Sequence, residues 1–173
     1  LAYRIGLATT RYLGARSVCV GHDCRHSSRS LADAVMEGVR SAGGRVLDIG
    51  LCGTEMVYWT TDRRGLDGGI MVTASHNPID YNGMKLVRTG ARPISGDSGL
   101  DQIAAMVGGD DPLEPAGSLG GLDVEDVLEP YVADLLDIVP PRDFRPLTVV
   151  ANGGNGCAGP VARAFAEQLP GRW

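Results

Sequence analysis

The chain has 173 residues, 43% of them apolar and 21% charged, which is enough for one domain with a real core and part of a second. Its net charge of −5 and its lack of any basic run argue against a nucleic-acid or anionic-membrane partner. No stretch has the length of a membrane-spanning helix, and LAYRIGLATTRYLGAR at the start lacks the apolar centre of a signal peptide, so cytoplasmic residence is the expectation.

Leu1, Ile5, Ala8 and Tyr12 recur at helical spacing and Gly14 follows as a stop, which predicts an amphipathic helix over 2–13. A short strand, Ser17 to Val20, opens into the polar loop Gly21 to Ser28. Leu31, Val35, Val39 and Ala42 then line one face of a second helix, with Ser30 and Asp33 as its expected cap and Gly43-Gly44 as its stop. With the strand Arg45 to Ile49 this makes a βαβ unit, and the loop carrying Asp23 and Arg25 leaves the carboxyl end of its first strand. A ligand is expected at that edge. Arg25 is either a phosphate or loop contact, or merely the partner of Asp23 at a helix cap. Gly53-Thr54 starts a third helix that runs to Asp62.

The stretch Gly69 to Arg88, GIMVTASHNPIDYNGMKLVR, is the most informative. Its first residues form a β-branched run that reads as a buried strand, and the run stops at Ala74-Ser75-His76-Asn77-Pro78. Pro78 fixes its own φ and drives Asn77 toward an extended backbone, so the loop is stiff where Ser75 and His76 emerge. Asn82-Gly83 supplies a turn, and the strand Met84 to Val87 returns Lys85 toward the same end of the sheet. The sixteen basic residues are fifteen arginines and this one lysine. A guanidinium stays protonated at ordinary pH, whereas an amine in suitable surroundings can shed a proton, so the exception suits proton transfer.

Thr73-Ala74-Ser75-His76-Asn77-Pro78, with Asp80-Tyr81-Asn82-Gly83-Met84-Lys85, resembles the phosphoserine loop of the α-D-phosphohexomutases. The continuation Leu86 to Arg88 and Gly90 to Asp97 is most similar to their bacterial phosphomannomutase branch. The resemblance implies an intramolecular phosphotransferase, an isomerase that interconverts mannose 6-phosphate and mannose 1-phosphate through a hexose 1,6-bisphosphate intermediate. Glucose and glucosamine phosphates are the alternatives within the class. By position, Ser75 would carry the phosphoryl group and, through it, ligate Mg²⁺. His76 and Lys85 would complete the catalytic set, Lys85 as proton shuttle, with Arg25 and Asn77 supporting the loop. The resemblance also implies a strand and an Arg-bearing loop upstream of the first helix, and acidic metal, sugar and phosphate-gripping loops downstream. The fragment alone is therefore expected to be inactive. The partner it implies is a small phosphosugar; it says nothing of oligomeric state.

Further along, Ser98 to Val107 is predicted as a helix, 108–122 as an exposed connection, and Asp123 to Ile138 as a helix with a candidate bend at Pro130. A strand from Leu147 to Ala151, a glycine-rich turn and a helix from Pro160 to Leu169 follow the linker Pro140 to Asp143. The glycine-rich turn matches neither a dinucleotide fingerprint nor a P-loop. The expected fold is α/β: a three-layer α/β/α domain with a mixed sheet over 1–139, like domain I of the phosphohexomutases, then the start of a similar second domain over 140–173. A zinc set of Cys19, Cys24, His22 and His26 is disfavoured because strand alternation aims Cys19 away from His22. A serine hydrolase is disfavoured because Ser75 lacks the flanking glycines of a nucleophile elbow. The rival of another class is a non-catalytic phosphate-binding or interaction domain.

Overall fold

The computed structural model describes residues 1–109 and 113–173, and its contacts divide the chain into two units, 1–125 and 126–173. The pair Asp110-Asp111, in the connection expected to be exposed, lies outside the described residues.

In the first unit, helix α1 (Ala2–Leu13) ends at Gly14, whose φ of 57° is the left-handed conformation that glycine adopts without strain. Strand β1 (Ser17–His22), helix α2 (Ser28–Ser41) and strand β2 (Arg45–Leu51) form the expected βαβ unit, and β1 and β2 are parallel. Helix α2 starts earlier than its apolar periodicity suggests. Its N-cap is Ser27, not Ser30 or Asp33, and the Ser30 hydroxyl donates to the Ser27 carbonyl instead. Helix α3 (Thr54–Arg63) leads to β3 (Gly68–Val72), and β4 (Met84–Arg88) returns antiparallel to it. A two-residue strand β5 (Arg92–Pro93) extends that edge.

The helix expected over 98–107 is split in two. Gly96–Ser98 forms a 3₁₀ turn, closed by reciprocal bonds between Ser95 and Ser98, and α4 (Leu100–Gly108) follows. The helix expected from Asp123 is likewise shorter. Leu122–Val124 is strand β6, which pairs parallel to β2, and the helix begins only at Leu128. The six strands lie in the order β5-β4-β3-β1-β2-β6, a mixed sheet with a parallel centre and an antiparallel edge, as expected.

Alternation decides which layer each strand residue joins. Val18, Val20, Val46, Ile70, Val72 and Leu86 pack with Ala8, Ala32, Val35, Met36, Val39 and Ile103 of α1, α2 and α4 in one buried cluster. Residues of opposite parity face α3: a Cβ built on Gly21 would meet Cys52 and Val57, and one on Gly69 would meet Thr61 and Val57. That sheet face tolerates no added side chain at these two positions. Cys19 is fully buried, and burial first, with Cys52 and the Asp48 and Glu125 charges adding to it, pushes its thiol up.

The second unit holds α5 (Leu128–Ile138), the 3₁₀ turn Pro141–Asp143, β7 (Leu147–Thr148), α6 (Ala158–Ala166) and β8 (Gly171–Arg172). Strands β7 and β8 are parallel, so this piece is also strand, helix, strand. Pro130 and Pro160 each fall in a first helical turn, where a missing N–H costs nothing. The contact boundary after Glu125 puts α5 with the C-terminal piece, earlier than the division at 139 that the sequence suggests.

Candidate functional site

Loops from β1 and β3 meet at the carboxyl edge of the parallel strands. Residues 73–83 join β3 to β4, and the Thr73 N–H donates to the Gly83 carbonyl at 2.9 Å, closing the loop at its base. The neighbouring loop is tied on by the Asp23 N–H, which donates to the Val72 carbonyl at 3.0 Å.

Arg25 organises the larger loop. Its side chain is buried, and all five of its N–H donors are used. Nε donates to Asp23 at 3.1 Å. Nη1 donates to the carbonyls of Pro78 at 2.5 Å and Tyr81 at 3.1 Å, and Nη2 to those of Ser75 at 2.9 Å and Asn77 at 2.6 Å. Four carbonyls spread over seven residues are thus drawn to one guanidinium. No donor of Arg25 is left over for a phosphate.

Asp23 is the second hub. Its carboxylate accepts from the Arg25 N–H at 3.0 Å, from the Thr73 hydroxyl at 2.7 Å and from the Ser28 hydroxyl. Burial alone would push its carboxyl up, but those hydrogen bonds and the Arg25 charge outweigh burial and hold it below the usual carboxylate range. Thr73 Oγ1 in turn accepts from the Ser75 N–H at 2.9 Å. Asn82 donates through Nδ2 to the hydroxyls of Ser27 and Ser28 at 2.9 and 2.8 Å, fastening the far end of the loop.

Ser75 sits at φ 55°, a left-handed conformation uncommon for a residue with a side chain and found where surrounding structure over-determines the backbone. Here the over-determination is visible: its N–H and its carbonyl are both bound. Its hydroxyl is not. Ser75, His76 and Asn77 are exposed on the loop. Among the described residues, neither the Ser75 hydroxyl, the His76 ring nor the Lys85 amine makes a hydrogen bond or ion pair.

Lys85 is the second residue of β4, directly opposite Met71, and is exposed. Strand β4 begins where β3 ends, so Lys85 and Ser75 stand at the same edge of the sheet, as does Arg25. Asn77 contributes its carbonyl to Arg25 and its N–H to Ala74 at 3.0 Å. Asp23, Ser28, Thr73 and Asn82 were not singled out by sequence reasoning as site residues. The Gly21-x-Asp23-x-Arg25 spacing was the available signal for Asp23.

Among the described residues no group of three or more His, Cys, Asp or Glu side chains is placed to hold a metal ion. A phosphate on Ser75 would offer oxygen to Mg²⁺ at one position of an octahedron, so these residues alone do not make a site for it.

Residues 1–112 match the family model described as phosphoglucomutase/phosphomannomutase, alpha/beta/alpha domain I. Among curated relatives, a phosphomannomutase of Salmonella typhimurium is 46% identical over 170 residues, covering 98% of this chain and 37% of that protein. A protein of Xanthomonas campestris described as phosphohexose mutases is also 46% identical, with 98% and 38% covered. A crystal structure of a phosphoglucomutase/phosphomannomutase family protein from Burkholderia thailandensis superposes with a TM-score of 0.81 at 34% identity, covering 98% of this chain and 39% of that one. The chain spans under two-fifths of the length of each of these relatives.

Proposed function

Because the chain belongs to the phosphoglucomutase/phosphomannomutase family through its α/β/α domain I, we propose that it supplies the phosphoryl-carrying half of a phosphohexomutase site, with mannose phosphates as substrate. The relatives' names, phosphomannomutase and phosphohexose mutases, favour that substrate class. One observation carries the reading: the backbone of the Ser75 loop is held at both sides of the serine, while the hydroxyl itself is exposed and unbonded. An idle surface serine has no need of a backbone fixed from both sides at a left-handed φ. A serine that must be attacked and regenerated has to be fixed in position and free in chemistry.

In the proposed cycle the phosphorylated Ser75 gives its phosphoryl group to a hexose monophosphate. The P–O bond to serine breaks as a bond to the sugar hydroxyl forms; the hydroxyl proton leaves to a base, and the serine oxygen departs as the alkoxide that accepts the next phosphoryl group. Lys85 is that base, acting on the substrate oxygen rather than on Ser75, to which it has no hydrogen bond. The hexose bisphosphate then presents its other phosphate, which returns to Ser75 with the proton moving in reverse. Transfer of this kind asks the protein for position and charge neutralisation. His76, beside the serine, adds a polar edge to the phosphate's surroundings. Mg²⁺ would neutralise phosphate charge when bound, with the balance of its ligands coming from beyond the donors described above.

The test replaces the matching 170 residues of the Salmonella phosphomannomutase with this chain. After incubation with hexose 1,6-bisphosphate, intact-mass analysis is expected to find one phosphoryl group, absent from Ser75→Ala. A phosphoryl group that persists in Ser75→Ala would end the assignment.

A further inference from the structure

The opposite, amino-terminal edge of the sheet carries a row of charges that the Ser75 site does not use. Strand register lines it up: Arg45 faces Ser17, Val18 faces Gly68, Gly68 faces Arg88, and Arg88 faces Arg92. On the β2–β6 side these charges are neutralised, Arg45 by Asp123 and Arg64 by Glu125. On the β4–β5 side they are not. Arg88 and Arg92 lie directly across an antiparallel pair, so their side chains leave the same face, where like charges repel. Among the described residues neither has a carboxylate partner. Arg92 uses Nε on the Thr89 carbonyl at 3.1 Å, and Arg88 Nε is buried with no acceptor among the described residues.

A buried guanidinium N–H without an acceptor is a costly arrangement that asks for an explanation, and it leaves the Nη groups as the donors through which Arg88 can be compensated from outside. The acid beside this edge does not compensate it. Asp67, adjacent to Gly68, spends Oδ2 on the N–H groups of Arg16 and Ser17 and on the Ser17 hydroxyl. The hairpin that joins the two arginines is set tightly, with Gly90 at φ 73° and Ala91 at φ 52°, and the Thr89 hydroxyl donates to the Asp67 carbonyl at 3.4 Å.

We propose that Arg88 and Arg92 form a second oxyanion site, separate from the Ser75 loop, that binds a phosphate dianion, free or as a monoester. Directly paired across β4 and β5, the two arginines bring two positive charges to one face of the sheet edge. A tetrahedral dianion answers both, whereas a single carboxylate leaves one charge uncompensated. The site would give an acidic chain a local anchor for phosphate at the edge away from the reacting serine.

Titration of the isotope-labelled 173-residue chain with inorganic phosphate at fixed ionic strength tests this by amide chemical shifts. Saturable shifts are expected at Thr89 to Arg92, retained in Ser75→Ala, with affinity about tenfold weaker in Arg92→Gln. Acetate is expected to give no saturable shift there. Methyl phosphate in a parallel arm separates the sources: equal or tighter binding identifies a monoester, weaker binding the free anion. Arg92 is exposed, so its replacement leaves the fold intact, whereas Arg88 carries a buried Nε. Shifts confined to 73–83, unchanged affinity in Arg92→Gln, or acetate binding as tightly as phosphate would overturn the proposal.

Discussion

Asp23 and Arg25 set the pH range over which the serine loop keeps its shape. The folded carboxyl of Asp23 titrates below its unfolded value near 3.9, so its contribution to stability is fully present above about pH 4 and is lost as pH falls through the folded value. Urea midpoints measured between pH 7 and pH 3 should therefore fall at the acid end, and Asp23→Asn should show less of that fall while being less stable at pH 7. Equal acid sensitivity in both proteins would move the effect to other carboxylates. Lys85 makes a different demand. Lys85→Arg keeps the charge but removes a group that can give up its proton, so turnover of the Salmonella chimera should drop by about a hundredfold or more with the fold unchanged. A KM change with kcat intact would make Lys85 a binding residue only. The serine loop could be read from local order, because Pro78, the strand end and the lone lysine are each visible within a few residues. What Asp23 and Arg25 hold could not, because Thr73 and the loop carbonyls stand fifty or more positions away and meet them only when β1 and β3 pair.

At the scale of elements, the close crossing of α1 and α2 supports the layer beneath the site. A Cβ on Gly38 would lie 2.0 Å from the Tyr3 carbonyl oxygen, and one on Gly6 would lie 2.2 Å from that of Val35. Both neighbours are helix backbone and have no way to swing aside. In an exposed helix, Gly→Ala gains about 1 kcal/mol from propensity. At Gly38 the clash should reverse the sign, so that Gly38→Ala loses about 1–3 kcal/mol by urea unfolding, and a more stable variant would show that the helices can part. The amphipathic stripe of α1 and the glycine after it are strong local signals, which is why that helix was legible in the sequence to its last residue. Strand β6 was not. Leu122–Val124 is three residues long and is followed by Glu125 and Asp126, so the local pattern joins a helix while pairing with β2 decides the outcome. The 3₁₀ turn before α4 was hidden for a similar reason, since Ser98 looks like a helix cap and is bonded to Ser95 instead.

At the scale of the molecule, the question is how much of a mutase resides in a chain that spans 37% of the phosphomannomutase it resembles. The described residues supply a fixed serine, a neighbouring histidine and a lysine at one edge of one sheet. They supply no acidic cluster for a metal, and the guanidinium nearest the serine has all its donors committed to the loop. A hexose bisphosphate must be held by its far phosphate while the near one reacts, and then be turned end for end. One edge with a single unbonded cation can accept a phosphoryl group but has little with which to grip the other end. The 173-residue chain, given Mg²⁺ and hexose 1,6-bisphosphate, should therefore show no interconversion of mannose 6-phosphate and mannose 1-phosphate by ³¹P NMR, while the chimera does. Turnover by the chain alone would mean that the grip on the distal phosphate lies within these residues, and Arg88 and Arg92 are on the wrong edge of the sheet to provide it.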